Sequence, residues 1–223
     1  MTIDAHQLLL LLSWMSPAFP TGAFAYSHGL EWAIEDGKVK TAADVKFWIA
    51  DLITQGSGWN DAVLFAQCWD GGVVELNDLA LALAPSKERH LETTQLGRAF
   101  ETAASTFFNC HPRNKSGDDR ILDGELAYPI AAGVACCTAG IDKSHALLAY
   151  LQGFSTALVS VAVRLVPLGQ TQGLEVIRDL MPVIAATGSR AAAASLDDLG
   201  SITLLSDIAA MKHETLRSRV FRT

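Results

Sequence analysis

Hydrophobic residues recur along this chain at intervals of three or four positions, the spacing of amphipathic helices, and strict alternation over the length of a strand is hard to find. Prolines, glycines and capping residues divide the pattern into segments. The predicted helices lie near residues 5–14, 24–36, 41–52, 59–69, 79–84, 87–108, 125–137, 143–165, 173–185 and 206–217. The pattern therefore predicts an all-α, single-domain bundle of roughly eight to ten helices, spanning residues 1–223.

The segment Ala146–Val163 is the most apolar of these helices, with eighteen residues and no formal charge. Its length suits a membrane span, so a membrane-embedded helical protein is one alternative. It also carries Gln152, Ser155 and Ser160, which favour a helix enclosed by other helices. We expect a fully buried central helix and no membrane contact.

The N-terminal leucine run, Leu8–Leu12, superficially resembles the core of a signal peptide. Positive charge should precede such a core, but the first basic residue is Lys38. The four cysteines form no CxxC pair and indicate no disulfide framework. A reduced, cytoplasmic location is the simplest expectation.

Charge is unevenly distributed. The chain has 17 basic and 24 acidic residues, a net charge of −7 that argues against nucleic-acid binding. Residues 212–223, in contrast, hold four basic residues against one acidic residue. This composition predicts a flexible basic tail at about 213–223 that docks on an acidic protein surface. Val220 and Phe221 would be its exposed apolar anchors, flanked by Arg219 and Arg222.

Three local patterns suggest chemistry. Ser27, in A-Y-S-H-G, is one residue away from the G-x-S-x-G motif of serine hydrolases, so a hydrolase built on Ser27 is a second alternative. The upstream prolines argue against the strand that this motif needs, and favour a serine that caps or packs the start of a helix. His213-Glu214 begins like H-E-x-x-H, but Arg217 replaces the second histidine, which excludes that zinc motif.

The third pattern is Cys110-His111, a weak candidate for a nickel or zinc site together with His90 or His145. No set of ligands with a regular spacing supports it, so we expect no confident metal site. The chain has no G-x-x-x-x-G-K-[ST] loop and should not bind GTP or ATP by itself.

Three segments together resemble the urease accessory protein F (UreF) family. Residues 16–32, S-P-A-F-P-T-G-A-F-A-Y-S-H-G-L-E-W, are similar to the family's opening motif, and residues 167–170 are P-L-G-Q. Residues 213–223, H-E-T-L-R-S-R-V-F-R-T, are similar to its ending, although Arg217 stands where relatives often have an aromatic residue. The segments are spread over nearly the whole chain in the right order.

The resemblance implies an all-helical, homodimeric, non-enzymatic maturation factor. Such a protein joins a second accessory protein, called D or H, and a GTPase, called G, and the assembly delivers nickel to apo-urease. The implied chain holds no stable cofactor, because the complex handles nickel and the partner binds GTP. The implied partner-binding residues are His213, Glu214, Ser218, Arg219, Val220, Phe221 and Arg222. The implied structural or interface residues are Pro17, Pro20, Gly22, Phe24, Ser27, Gly29, Leu30, Glu31, Pro167, Gly169 and Gln170.

Overall fold

The computed structural model describes residues 3–108 and 124–223, and this part of the chain contains ten α-helices and no strand. The helices are α1 (Ala5–Trp14), α2 (Leu30–Glu35), α3 (Ala42–Gln55), α4 (Ser57–Gln67), α5 (Val73–Ala82), α6 (Lys87–Ala104), α7 (Tyr128–Thr138), α8 (Lys143–Leu165), α9 (Gln170–Ala192) and α10 (Leu204–His213). Short 3₁₀ turns lie at Ala23–Ala25, Ser105–Phe107 and Leu196–Asp198. The all-α prediction is confirmed.

Side-chain caps set several helix starts at the predicted places. Thr41 and Asp44 form a reciprocal capping box at α3, in which the Asp44 amide donates to Thr41 Oγ1 at 3.2 Å. Ser86 Oγ accepts the Arg89 amide at 3.1 Å at the start of α6. The sequence therefore encodes these boundaries locally.

Helix α8 is the centre of the bundle and packs against α2, α3, α4, α7 and α9. Among the described residues it is the one helix long and apolar enough to cross a membrane by length and composition, and half of its most apolar 18-residue stretch is buried. The expectation of complete burial was wrong, because these neighbours leave part of the helix surface uncovered.

Several predicted bounds differ from the structure, among them those of the helices predicted at 24–36 and 173–185. The predicted helix at 24–36 is broken, because Tyr26 is extended and His28 and Gly29 have positive φ, so α2 begins only at Leu30. Helix α9 continues to Ala192, beyond the predicted end at residue 185, through an alanine-rich stretch. Alanine has the highest helix propensity, and Ala191 is completely buried, so continuation is favourable.

The apolar core is contiguous over all the packed helices. At its centre the ring of Phe65 lies 4.8 Å from that of Tyr150, which in turn lies 5.5 Å from that of Tyr128. Phe65, from α4, is completely buried. This core holds α6, α8 and α10 in fixed positions, and those helices carry the side chains of the candidate site.

Candidate functional site: a polar centre that holds residues 213–223

Helix α2 lies unusually close to α10, and this contact positions the site. Gly29 precedes α2 with φ +78°, a conformation that side chains disfavour. A Cβ atom at Gly29 would lie 2.7 Å from the backbone nitrogen of Ala210 in α10. The motif glycine therefore permits both the turn and the close approach that brings Glu31 beneath α10.

Glu31, in the first turn of α2, is buried and accepts three hydrogen bonds from the C-terminal region. The Val220 amide donates to its Oε1 at 2.7 Å and the Phe221 amide donates to its Oε2 at 3.0 Å. His213 Nε2 lies 3.0 Å from the same Oε2 atom. One carboxylate thus fixes both the end of α10 and the chain that follows it.

Glu88, on α6, provides the second carboxylate. Its Oε2 atom lies 2.7 Å from His213 Nδ1, and its Oε1 accepts a hydrogen bond from Arg219 at 2.5 Å. The exposed fraction of His213 is 0%. The imidazole therefore lies between two carboxylates and out of contact with water.

Residues 222–223 pair with the opening motif. The Arg222 amide donates to the Ala25 carbonyl at 2.8 Å, and the Ser27 amide donates to the Thr223 carbonyl at 2.7 Å. The Ser27 hydroxyl bonds the same carbonyl, and Thr223 Oγ1 donates to Glu92 Oε2 at 2.7 Å. The motif segment and residues 213–223 form one folded unit.

The expectation of an exposed Phe221 was therefore wrong, and residues 219–221 pack against α2 and α6. Phe221 is only 4% exposed, and the Arg164 guanidinium lies 5.9 Å from its ring centroid. Val220 is exposed, as predicted. The buried acids Glu31 and Glu88 pair with the basic segment within the same chain, a pairing that composition alone does not reveal.

The structure also argues against Ser27 as a nucleophile. Its side chain is completely buried and its hydroxyl bonds the Thr223 carbonyl. The neighbouring His28 ring points elsewhere, with Nε2 lying 2.5 Å from Ser57 Oγ and Nδ1 lying 3.4 Å from Glu92 Oε1. The role that we expected for Ser27, packing near the start of α2, agrees with its 3.4 Å hydrogen bond from the Glu31 amide.

A second polar cluster lies beside the first, around a cavity of about 70 Å³. It contains His28, Asp61, Arg89 and Glu92. Burial and the Arg89 charge hold the pKa of His28 below its usual value. Burial acts to raise the pKa of Glu92, but Arg89 and His28 outweigh it and hold the pKa well below its usual range. Burial raises the pKa of Asp61 to about 6, against the opposing Arg89 charge.

Sequence reasoning missed the acidic and basic members of α6 that build both clusters, namely Glu88, Arg89 and Glu92. Charged residues spaced three and four apart on a helix normally indicate a solvated face. All three are buried here. Only their neighbours in space show that they are interior residues.

The remaining motif residues lie at the surface or support the turn. Pro17 and Pro20 are exposed, and Leu30 is completely buried. Gly22 has φ +78°, a left-handed conformation that side chains disfavour, as we expect of a glycine in this motif. The bend at Pro17, Pro20 and Gly22 predicts that Phe24 seats against the core. This prediction was wrong: Phe24 is 65% exposed, because the turn at Ala23–Ala25 directs it outwards.

The other predicted partner and junction residues are likewise accessible. Glu214 is exposed and its Oε1 accepts the Lys87 amide at 3.0 Å, while Ser218 is exposed. Pro167, Gly169 and Gln170 are exposed where α8 joins α9, and Gly169 is the N-cap of α9. These residues are available for contacts outside the chain.

The weak metal candidates gain no support. Cys110 and His111 lie outside the described residues, while His90 and His145 each face a different carboxylate, Glu125 and Asp142 respectively. In residues 3–108 and 124–223, no group of three or more histidine, cysteine, aspartate and glutamate side chains could hold a metal ion.

These features define an all-helical protein whose polar centre binds its own C-terminal region and presents exposed arginines beside it. The UreF family model matches residues 39–181. The urease accessory protein UreF of Methylorubrum populi is 45% identical over an alignment 228 positions long, covering 99% of this chain and 100% of the relative. UreF 1 of Brucella anthropi is 45% identical, covering 97% and 94%, and UreF of Rhodopseudomonas palustris is 42% identical, covering 98% and 94%.

The chain belongs to the UreF family of urease accessory proteins. The family model does not extend to residues 16–32 or 213–223, but the alignments with these relatives cover nearly the whole chain.

Proposed function

We propose that this chain is a non-catalytic scaffold for urease maturation. It joins a D/H-type accessory protein and a G-type GTPase, and the assembly inserts nickel into apo-urease. Nickel is the cargo of the complex, and the GTPase partner binds GTP. Family membership supports this role, as does the absence of a phosphate-binding loop from the sequence.

One observation carries the proposal of a partner surface. The hydrogen bond from the Arg222 amide to the Ala25 carbonyl places residues 222–223 alongside the opening motif. Val220, 70% exposed, and Phe24, 65% exposed, both lie on this unit, and Arg217 and Arg222 are exposed beside them. We call this the motif–tail surface.

Apolar side chains among arginines have the composition of an interface anchor. The exposed positive charge favours an acidic partner surface and speeds its association. We assign the motif–tail surface to the D/H-type accessory protein. Phe221 supports the surface from below, since it is buried in the chain itself.

The homodimer, the coupling to GTP hydrolysis and the cytoplasmic location follow from the family resemblance. The three cysteines in the described part of the chain, Cys68, Cys136 and Cys137, are free, which suits a reducing compartment. We also propose that the chain binds neither nucleic acid nor membrane, as its acidic charge and packed α8 suggest.

The test is binding to the purified D/H-type protein, measured by calorimetry. Val220→Ala and Phe24→Ala should each weaken the complex by about 1–3 kcal/mol, the range of interface hot spots. Leu174→Ala is the matched control, because Leu174 is an apolar residue of α9 with a similar exposed fraction of 67%. Wild-type affinity in both test variants would refute the assignment of this surface.

The scaffold role is tested separately with the G-type GTPase. The isolated chain should bind no GTP by calorimetry, and activation of apo-urease by nickel and GTP should require both proteins. Activation without this chain, or stoichiometric GTP binding by it, would contradict the proposal.

A further inference from the structure

A small cavity of about 80 Å³ lies beside the opening motif, near the C-terminal end of α8. Its wall includes Pro17 and Phe24 from the motif and Arg164 from the last turn of α8. Pockets that hold drug-sized ligands have volumes of about 300–1,000 Å³. The size of this cavity therefore suits one inserted side chain and does not suit a cofactor.

Three hydroxyl groups in the wall of this cavity already accept hydrogen bonds from within the chain. Ser16 Oγ accepts the Ala18 amide at 3.1 Å, and Thr21 Oγ1 accepts the Ala23 amide at 3.4 Å. Thr156 Oγ1 accepts a side-chain amide of α8 at 3.1 Å. Each hydroxyl keeps its own proton, so each can still donate a hydrogen bond to a ligand.

Trp14 adds a donor that has no acceptor. Its side chain lines the cavity and is only 1% exposed, and within the described part of the chain its indole N–H has no hydrogen-bond partner. The indole nitrogen can donate a hydrogen bond but cannot accept one. Because an unpaired buried donor is costly, a ligand that brings an acceptor to this position removes that cost.

Arg164 gives the cavity a positive charge. Among the described residues no aspartate or glutamate lines the cavity, and none of them pairs with Arg164. The guanidinium instead lies 5.9 Å from the ring centroid of the buried Phe221, a contact that leaves its N–H groups free. Several donors around one uncompensated cation, with no acid among them, are complementary to a carboxylate.

We propose that this cavity receives one aspartate or glutamate side chain of the D/H-type accessory protein, whose carboxylate pairs with Arg164 and accepts a hydrogen bond from the Trp14 indole. This inference rests on the proposed function, because Phe24 both lines the cavity and belongs to the motif–tail surface. The exposed arginines of that surface attract an acidic partner, and the cavity then fixes the position of a single acid. Phe221 contributes from within the chain by supporting the Arg164 guanidinium.

A double-mutant cycle with the purified full chain and the purified D/H-type protein tests this pairing. Arg164→Gln should weaken binding by about tenfold or more, the effect of losing a hydrogen bond to a charged group. Each surface aspartate and glutamate of the partner is then replaced by its amide. One of these replacements should weaken binding as strongly as Arg164→Gln and add little to it, because the two groups act as a pair.

Two controls make the test specific. Arg178→Gln removes the same charge from an exposed arginine of α9 that bonds Asp179, and it should leave the affinity unchanged. Nuclear magnetic resonance of the wild-type complex adds a readout that needs no variant, because the Trp14 indole N–H signal should move downfield when it gains an acceptor. Trp48 is the internal control, since its buried indole N–H also has no partner but lies on α3, and its signal should not move.

Three results would each overturn the acid-binding cavity: wild-type affinity of Arg164→Gln, a partner in which no acid couples to Arg164, and a Trp14 signal that does not move in the complex. If Val220→Ala and Phe24→Ala weaken the complex while Arg164→Gln does not, the cavity alone is refuted and the motif–tail surface stands. Wild-type affinity in all three variants refutes the surface and the cavity together, so the two failures are distinguishable.

Discussion

The interior of this protein has two regions of opposite character. Around α4, α7 and α8 it is apolar, with the rings of Phe65, Tyr150 and Tyr128 in contact. Between α2, α6 and α10 it contains charged residues in pairs, with Glu31, Glu88 and His213 all buried. The two regions are similarly inaccessible to water but are stabilised by different forces.

The difference lies in what each region needs to remain folded. An apolar core is stabilised by the area removed from water, and it loses stability in proportion to the atoms deleted. A buried ion pair offsets a large desolvation cost only while every partner is present and correctly protonated. The apolar region is therefore suited to permanent structure, and the polar region is suited to a contact that can be made and broken.

The largest expected change in unfolding free energy comes from removing a buried phenylalanine ring, and each region contains one that can be compared. Phe65→Ala should cost about 3–5 kcal/mol, the range for a deleted core aromatic ring. Phe221→Ala should cost less, about 2 kcal/mol, because its neighbours at the edge of the bundle can relax into the space. Denaturant unfolding measures both. An unchanged unfolding free energy for Phe221→Ala would show that the buried Phe221 ring adds nothing to the stability of the fold.

The second largest expected change in stability concerns Asp61. This residue lies between the two regions, with Tyr150 on one side and Arg89 on the other. Burial raises its pKa from 3.8 to about 6, so the folded state holds the proton more tightly than the unfolded state. Its contribution to stability therefore falls as the pH rises from about 4 to 6. Asp61→Asn should raise the unfolding free energy at pH 7 by about 2–3 kcal/mol, since one pKa unit is about 1.4 kcal/mol.

The pH profile of the same variant provides the control. The pKa of His28 is lowered, so the unfolded state binds the extra proton and stability falls as the pH drops below about 6.5. Asp61 and His28 thus change the stability in opposite directions as the pH rises, and their contributions partly cancel in the wild type. In Asp61→Asn the opposing contribution of Asp61 is gone, so stability should rise more steeply from pH 4 to 6.5 than it does in the wild type. A profile identical to that of the wild type would contradict the assigned role of Asp61.

The smallest expected change in unfolding free energy is at the surface, at a residue that belongs to neither interior region. Phe24→Ala should change the unfolding free energy by no more than about 0.5 kcal/mol, because most of the ring is exposed. Thermal and denaturant unfolding of the free chain measure this. A loss approaching that of Phe221→Ala would place Phe24 in the folded unit and not on a partner surface.

Local signals explain which helices were predicted well. Helix α1 begins after the capping residue Asp4 and ends before Pro17, and α8 begins after the capping residue Asp142 and ends before Pro167. Both helices match their predicted bounds, because caps and prolines act within a few residues of the chain. The break before α2 was missed, since His28 adopts a positive φ that its residue type does not announce.

The sequence by itself determined the helical class, most helix boundaries and, through three motifs, the family. Each of these depends on neighbours within a turn or on the order of residues along the chain. Only the tertiary structure decided that Glu31 and Glu88 are interior acids, that Phe221 is buried and that Phe24 is not. The contacts that settle these points join residues more than a hundred positions apart, and a carboxylate on a helix has the same local pattern whether it faces water or a buried histidine.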